Sequence, residues 1–379
     1  MEKTWVNVPD VLFFQEGPGV RNTQYTSDGV KLLNVANLID GNIDLSKSDR
    51  YISEEEAYGK YKHFLCDEGD FIVASSGIKV EYIDKKMGFV ENTMLPLCMN
   101  TSTIRFKSLD QEKLRIRYFM YYLKSNHFKR QLFKQITGSA QLNYGPSHLK
   151  KMMVPLTDIE KQDRIIAELD RTQNIINKYE KELMLLDKLI KARFIELFGN
   201  PATPGEKFKT SKLGEVADVK SSHRVFTTEF VDEGVPFYRG TEIGALASGQ
   251  QPEDSYRISM EHYLKIASDD SKPMRGDLLL PSICNKGQVW MVDTDEPFYY
   301  KDGRVLCISP DRSVFDSRYL QFYMKIRTEA EYPKLGSGST FAEFKIFQLK
   351  ELEVDIPPIN AQKAFNLFAD QVDKSKVVA

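Results

Sequence analysis

The chain is poor in the residues that build metal centres and covalent frameworks. Its four cysteines, Cys66, Cys98, Cys284 and Cys307, stand too far apart for a zinc site and too sparsely for a disulfide framework. They read as buried thiols. Five histidines, His63, His127, His148, His223 and His262, show no ligand spacing, so no metal site is expected. No apolar run approaches the roughly 18 residues that span a bilayer. No apolar signal core follows Met1-Glu2-Lys3-Thr4-Trp5. A cytoplasmic protein without a membrane role is expected. A Gly-Lys-Ser/Thr phosphate loop is missing. A methyltransferase would need a Gly-rich cofactor loop and an Asn/Asp-Pro-Pro-aromatic motif, and Asn200-Pro201-Ala202-Thr203 lacks the second proline and the aromatic. The net charge of −2 argues against a general polyanion binder.

What is present is a globular composition, 41% apolar and 28% charged, over 379 residues. That length suits two to three domains. The charge is unevenly spread. Arg105, Lys107, Lys113, Arg115, Arg117, Lys124, Lys129, Arg130, Lys134, Lys150 and Lys151 are opposed within their stretch only by Asp110 and Glu112, while Asp40 to Asp70 is acidic. Such a basic block can neutralise phosphates and release counterions. It also fits a solvated helical face, since Leu114 to Met120 has a helical pattern.

The clearest local signal runs from Thr157 to Gly199. Thr157-Asp158-Ile159-Glu160 fits a capping box led by Thr157, and Gly199 followed by Pro201 is a stop signal. Between them the apolar residues follow a heptad. One seam position holds Ile165, Thr172, Tyr179, Leu186 and Arg193; the other holds Leu169, Ile176, Leu183, Ile190 and Leu197. A helix of about 40 residues would be roughly 60 Å long and needs a partner for that seam.

The segments flanking this helix echo each other at a spacing of about 200 residues. Gly29-Val30-Lys31-Leu32-Leu33 returns as Gly234-Val235-Pro236-Phe237-Tyr238. Gly69-Asp70-Phe71-Ile72-Val73 returns as Gly276-Asp277-Leu278-Leu279-Leu280. Thr137-Gly138-Ser139-Ala140-Gln141 is matched by Ser337-Gly338-Ser339-Thr340-Phe341, Leu149 to Val154 by Leu349 to Val354, and Ile159-Glu160-Lys161-Gln162 by Ile359-Asn360-Ala361-Gln362. Each copy reads as short strands followed by a helix, Leu114 to Lys134 in the first and Ser317 to Thr328 in the second. The class is α+β.

This plan resembles the DNA specificity subunit of type I restriction-modification systems over nearly the whole chain. The most specific piece is Val154-Pro155-Leu156-Thr157-Asp158-Ile159-Glu160-Lys161-Gln162, similar to the family's proline-rich entry to its conserved helix. Ile356-Pro357-Pro358-Ile359-Asn360-Ala361-Gln362 fits better; the first copy departs at Thr157-Asp158. The resemblance implies two target recognition domains, 1–156 and 200–356. They are joined by a spacer helix, 157–199, that forms an antiparallel coiled coil with a shortened C-terminal helix, 357–379. It implies a non-catalytic subunit, without a cofactor of its own, that reads a bipartite, interrupted site on double-stranded DNA. The partners implied are two modification subunits, which bind S-adenosylmethionine and methylate adenine, and restriction subunits. The second helix offers Phe365, Phe368 and Val372 as seam residues. Its shortness is expected to leave Leu186, Ile190 and Leu197 open to a partner or to self-association.

Recognition domains diverge, so contact residues are chosen by chemistry alone. In the first copy the candidates are Arg21, Asn22, Gln24, Ser75, Ser76, Lys79, Gly138, Ser139, Gln141 and Asn143. In the second they are His223, Arg224, Arg239, Thr241, Asn285, Lys286, Ser337, Ser339 and Thr340. Arg, Asn and Gln can pair with base edges, and Gly-Ser loops bring backbone amides to phosphate. Two other readings compete. Pro310-Asp311 with Glu343-Phe344-Lys345 loosely fits a metal-dependent nuclease, and the long helix alone would suit a coiled-coil adaptor.

Overall fold

The computed structural model describes residues 4–135, 142–253, 255–269, 271–335 and 342–378. The chain divides into two compact units, Met1–Asn177 and Lys178–Ala379. The first contains β1 (Leu12–Glu16), β2 (Val30–Leu33), β3 (Tyr51–Ile52), β4 (Phe71–Ala74), β5 (Met87–Phe89), β6 (Leu97–Met99) and β7 (Thr103–Ser108). The second contains β8 (Ala217–Lys220), β9 (Phe230–Val231), β10 (Val235–Tyr238), β11 (Tyr256–Ile258), β12 (Leu278–Pro281), β13 (Trp290–Met291), β14 (Tyr299–Tyr300) and β15 (Val305–Pro310).

The echoed sequences occupy the same places. An antiparallel sheet runs β1-β7-β4-β5 in the first unit and β8-β15-β12-β13 in the second. A second sheet contains one parallel pair in each unit, β6 with β2 and β14 with β10. The glycines are required by the backbone. At Gly29 and Gly234, φ is +114° and +149°, and a Cβ would stand 2.3 Å from the carbonyl oxygen of Ile52 or Ile258. Buried Asp70 and Asp277 each accept from an amide three residues earlier, at 2.9 Å, closing the turn into β4 or β12.

Helices α1 (Ile116–Lys124) and α2 (Asn126–Gln135) cover the first sheet, with Phe119 and Phe128 buried alongside Phe71 and Phe106. In the second unit, helix α4 (Gly240–Ala247) buries Ile243 in a cluster with Leu279, and helix α5 (Ser317–Glu331) covers the sheet as α1 and α2 do, burying Tyr319, Leu320, Tyr323 and Met324 on Leu278 and Ile308. The sequence pattern predicts one helix from Leu114 to Lys134; the structure has two, divided at Ser125.

Helix α3 (Ile159–Phe198) is continuous over 40 residues. Its cap differs from expectation: Asp158, not Thr157, receives the first-turn amide, from Lys161 at 2.8 Å. Gly199, at φ +85°, ends it. Helix α6 (Ile359–Val378) runs antiparallel to the last part of α3. Phe365 near its start lies 5.1 Å from Phe194 between ring centroids, and Lys376 near its end donates to Asp187 at 2.6 Å. The expected exposure of Leu186, Ile190 and Leu197 is therefore corrected. Ile190, Phe365 and Val372 are buried in the second unit's core, with Leu186, Leu197 and Phe368 packed against it. The open seam is the other end, at Leu169, Ile176, Tyr179 and Leu183; Ile165 packs partly on the first core. Arg193 also departs from the heptad. It pairs outward with Glu196 at 2.8 Å, and Phe194 and Phe198 take the buried face.

Candidate nucleic-acid interface

Each unit has a polar cleft where β2 or β10 ends. In the first unit a cleft of about 570 Å³ is lined by Tyr25, Asn34, Lys47, Arg50, Asn100 and Thr101, among others. Asn100 is buried; its Nδ2 donates to Asn34 Oδ1 at 2.8 Å, and its Oδ1 accepts from the Thr101 amide at 2.8 Å. Asn34 Nδ2 donates to the Leu32 carbonyl at 3.0 Å. Buried amides so fully engaged cannot swing, which makes the floor of the cleft rigid. Arg50 lies 5.3 Å over the Tyr25 ring and, among the described residues, pairs with no carboxylate.

The second cleft, about 560 Å³, is lined by Arg239, Thr241, Asn285, Gln288, Lys301 and Arg304, among others. Arg239 donates to Glu242 at 2.6 and 3.1 Å and sits 4.6 Å over the Tyr256 ring. Burial pushes the Glu242 carboxyl up, but the hydrogen bonds from Arg239 outweigh it and hold it below its ordinary value. Arg304 is paired with Glu343. The same frame holds both clefts. The Ser75 amide donates to the Ser102 carbonyl at 2.8 Å, and the Ser282 amide to the Arg304 carbonyl at 2.9 Å. Tyr144 and Phe344 then donate to the Ser75 and Ser282 carbonyls.

Of the residues chosen from sequence, Arg239, Thr241 and Asn285 meet in one cleft. Ser76 reaches the rim of the other, donating to Ser102 Oγ at 2.6 Å, and Asn143 pairs beside it in a short strand. Arg21, Asn22 and Lys79 are exposed. Gln24 is occupied by Glu56 and Tyr61, at 2.6 and 3.0 Å, and Ser75 is buried, so neither is a free reader. His223 and Arg224 are held by Asp269 and Asp302, at 2.7 and 3.1 Å. Lys286 is exposed but lines a different pocket. Gly138, Ser139, Gln141, Ser337, Ser339 and Thr340 lie outside the described residues.

The basic block is largely spoken for. Arg105 is buried and donates to Asp70 at 3.0 Å and to the Leu65 and His63 carbonyls. Arg115 pairs with Asp163 at 2.9 Å, Arg117 with Asp170 at 2.7 Å and Lys129 with Asp84 at 2.8 Å. The sequence missed Asn34, Asn100, Arg50 and Lys301. The available signal was the echo itself, because Asn34 and Arg239 each follow the repeated strand.

The nuclease reading fails on geometry. Asp311 follows the last residue of β15, while Arg304, which holds Glu343, precedes its first. A six-residue strand separates them by roughly 20 Å, too far for shared metal ligands. Among the described residues no helix is long and apolar enough to cross a membrane.

Comparison with known proteins agrees with the duplication. A model of the type I restriction modification DNA specificity domain matches residues 24–185 and again 205–377. The chain is 24% identical over 360 residues to the putative type I restriction enzyme MjaX specificity subunit of Methanocaldococcus jannaschii, covering 89% of this chain and 78% of that protein. It is 24% identical over 257 residues to a putative type I restriction enzyme specificity subunit of Haemophilus influenzae, covering 66% and 63%. Its fold is similar to the type I restriction-modification S subunit from M. genitalium, with a TM-score of 0.52 at 15% identity, covering 100% and 92% of the two chains. A structure from work on complex assembly and conformational transition of the type I R-M system gives 0.53 at 17%, covering 99% and 91%.

Proposed function

The chain belongs to the type I restriction-modification DNA specificity family, and from that membership we propose that it reads a bipartite, interrupted DNA site, one half with each cleft. The observation that carries this reading is duplication with divergence. One backbone frame recurs in both units, and the side chains that line its cleft differ: Arg50 over a floor of Asn34 and Asn100 in one, Arg239, Lys301 and Arg304 in the other. Phosphate contacts position a protein on the duplex, while base-edge contacts specify sequence. Two unlike mouths on one frame suit an asymmetric site. The recognition domains in this reading are 1–156 and 200–356.

The subunit itself is non-catalytic in this reading. It directs two modification subunits, which carry S-adenosylmethionine and methylate adenine, and restriction subunits join for cleavage. The test is adenine-methylation mapping across a genome, with the chain expressed beside its neighbouring modification subunit. A bipartite motif present only when both are expressed supports the reading. Association without new methylation and without salt-dependent DNA binding would leave a coiled-coil adaptor.

A further inference from the structure

The two clefts diverge most sharply at the residue that follows β2 or β10. Asn34 and Arg239 hold this place, and each opens the same backbone turn. The Asn34 amide donates to Asn37 Oδ1 at 2.9 Å, and the Arg239 amide donates to Glu242 Oε2 at 2.8 Å. The side chains then part. Asn34 is buried and uses its own amide group on the Leu32 carbonyl and on Asn100. The Arg239 side chain is 39% exposed and lines the cleft.

Arg239 is held from two directions. Its Nε and Nη2 donate side-on to the two oxygens of buried Glu242, at 3.1 and 2.6 Å. Its guanidinium also ends a ladder of rings. It lies 4.6 Å over Tyr256, which stacks on Phe230 at 4.6 Å and 14°, and Phe230 lies 5.2 Å from buried Phe237. A guanidinium carries five N–H donors in one plane. Glu242 takes two of them. The end-on edge, with one hydrogen on Nη1 and one on Nη2, remains, and among the described residues Nη1 makes no hydrogen bond.

Two parallel donors match two acceptors side by side. In the major groove only guanine presents such a pair on one base, O6 and N7. A phosphate also offers two oxygens, but Arg239 and Glu242 together are neutral, and a neutral pair gains little from a phosphate charge. An uncharged base edge carries no such penalty. Lys301, in the same cleft, forms no ion pair among the described residues and keeps the free charge that suits a phosphate.

On the reading that each cleft takes one half-site, we propose that Arg239 specifies a guanine in the half taken by the second unit, through N7 and O6 of its major-groove edge. Glu242 and Tyr256 are positioning residues that fix the plane of the fork. The first unit reads no base from the matching position, because Asn34 is engaged in its own scaffold.

The test is competition binding by the full chain with its modification subunit, on duplexes that carry the motif found by methylation mapping. Each guanine is replaced in turn by 7-deazaguanine, which lacks the N7 acceptor, and by hypoxanthine, which keeps N7 and O6. At one position, in one half only, 7-deazaguanine should weaken wild-type binding about tenfold, and hypoxanthine should leave it little changed. Arg239→Ala combined with Glu242→Gln, which leaves no buried carboxylate unpaired, should bind guanine and 7-deazaguanine alike. Glu242→Gln alone should move two readouts apart. The preference for guanine at that position falls, while the salt slope steepens by about one as the freed cation turns to phosphate. Equal sensitivity of wild type and double variant to 7-deazaguanine, or a motif without guanine, overturns the proposal and leaves the half-site reading standing. A double variant that weakens every duplex equally and lowers the salt slope by about one puts Arg239 on phosphate and overturns it as well. A wild type without sequence preference overturns the half-site reading, and the proposal with it.

Discussion

Gln162 and Gln362, 200 residues apart, make the same three hydrogen bonds. Gln162 Oε1 accepts from the Arg115 amide at 3.0 Å, and its Nε2 donates to the Lys113 and Thr157 carbonyls at 2.8 and 2.9 Å. Gln362 Oε1 accepts from the Asp316 amide at 2.9 Å, and its Nε2 donates to the Val314 and Pro357 carbonyls at 2.9 and 2.8 Å. Both side chains are fully buried. Each glutamine fastens the start of α1 or α5 to the first turn of α3 or α6, so it sets the angle between sheet-covering helix and seam helix.

Substituting either glutamine by Ala orphans one amide and two carbonyls. Each variant should lose about 2–3 kcal/mol of stability. Hydrogen exchange should speed up at Arg115 in Gln162→Ala and at Asp316 in Gln362→Ala, with the other unit unchanged. Urea unfolding within about 0.5 kcal/mol of the wild type would remove the clamp from the account.

The repeat was legible in sequence because its shared residues answer backbone demands. Gly29 and Gly234 sit where a Cβ would strike a carbonyl, and Gln162 and Gln362 satisfy loop ends. The clefts were not legible. Asn34 and Asn100 meet across 66 residues, and only the parallel pairing of β2 with β6 brings them together. The seam failed for a different reason. A strict heptad turns Arg193 inward, but a helix seated on a globular core keeps its natural period and buries Phe194. Antiparallel pairing also put the 20-residue α6 on the C-terminal end of α3, so the bare end is the N-terminal one.

Arg105 shows why a basic run is a poor guide to phosphate contacts. Arg105→Ala leaves Asp70 buried with the Asp67 amide and, among the described residues, Lys107 as its one remaining cation, at 3.0 Å. The expected cost is about 3–5 kcal/mol of stability, with the salt dependence of DNA binding unchanged. Unfolding curves and a salt titration of affinity decide this together. A shallower salt slope at unaltered stability would return Arg105 to the interface.

The buried thiols give a pH signature. Burial pushes Cys98 up to about 12 and Cys284 up to about 11. In the unfolded chain both ionise near their ordinary value. The folded state then holds protons that the unfolded state releases, so stability is full below the unfolded thiol pKa and falls as pH rises through it. All four cysteines should resist iodoacetamide at pH 8 until the chain is unfolded. Stoichiometric labelling of the native protein would contradict this burial.

The clefts make a sharper prediction about DNA. Arg50→Ala should weaken binding to sites altered in one half only, and Lys301→Ala to sites altered in the other, each by about 1–3 kcal/mol. If these cations meet phosphate, each variant lowers the salt slope by about one. If they meet base edges, the slope holds and one base position relaxes. Arg239→Ala should cost more than Lys301→Ala, because it also strips the partner from Glu242, which is 6% exposed, and leaves a carboxylate facing the duplex. Arg239→Ala combined with Glu242→Gln should recover part of that loss. Competition binding with half-site-scrambled duplexes separates these outcomes. Equal weakening on both half-sites by any one variant would mean that the clefts do not read DNA independently.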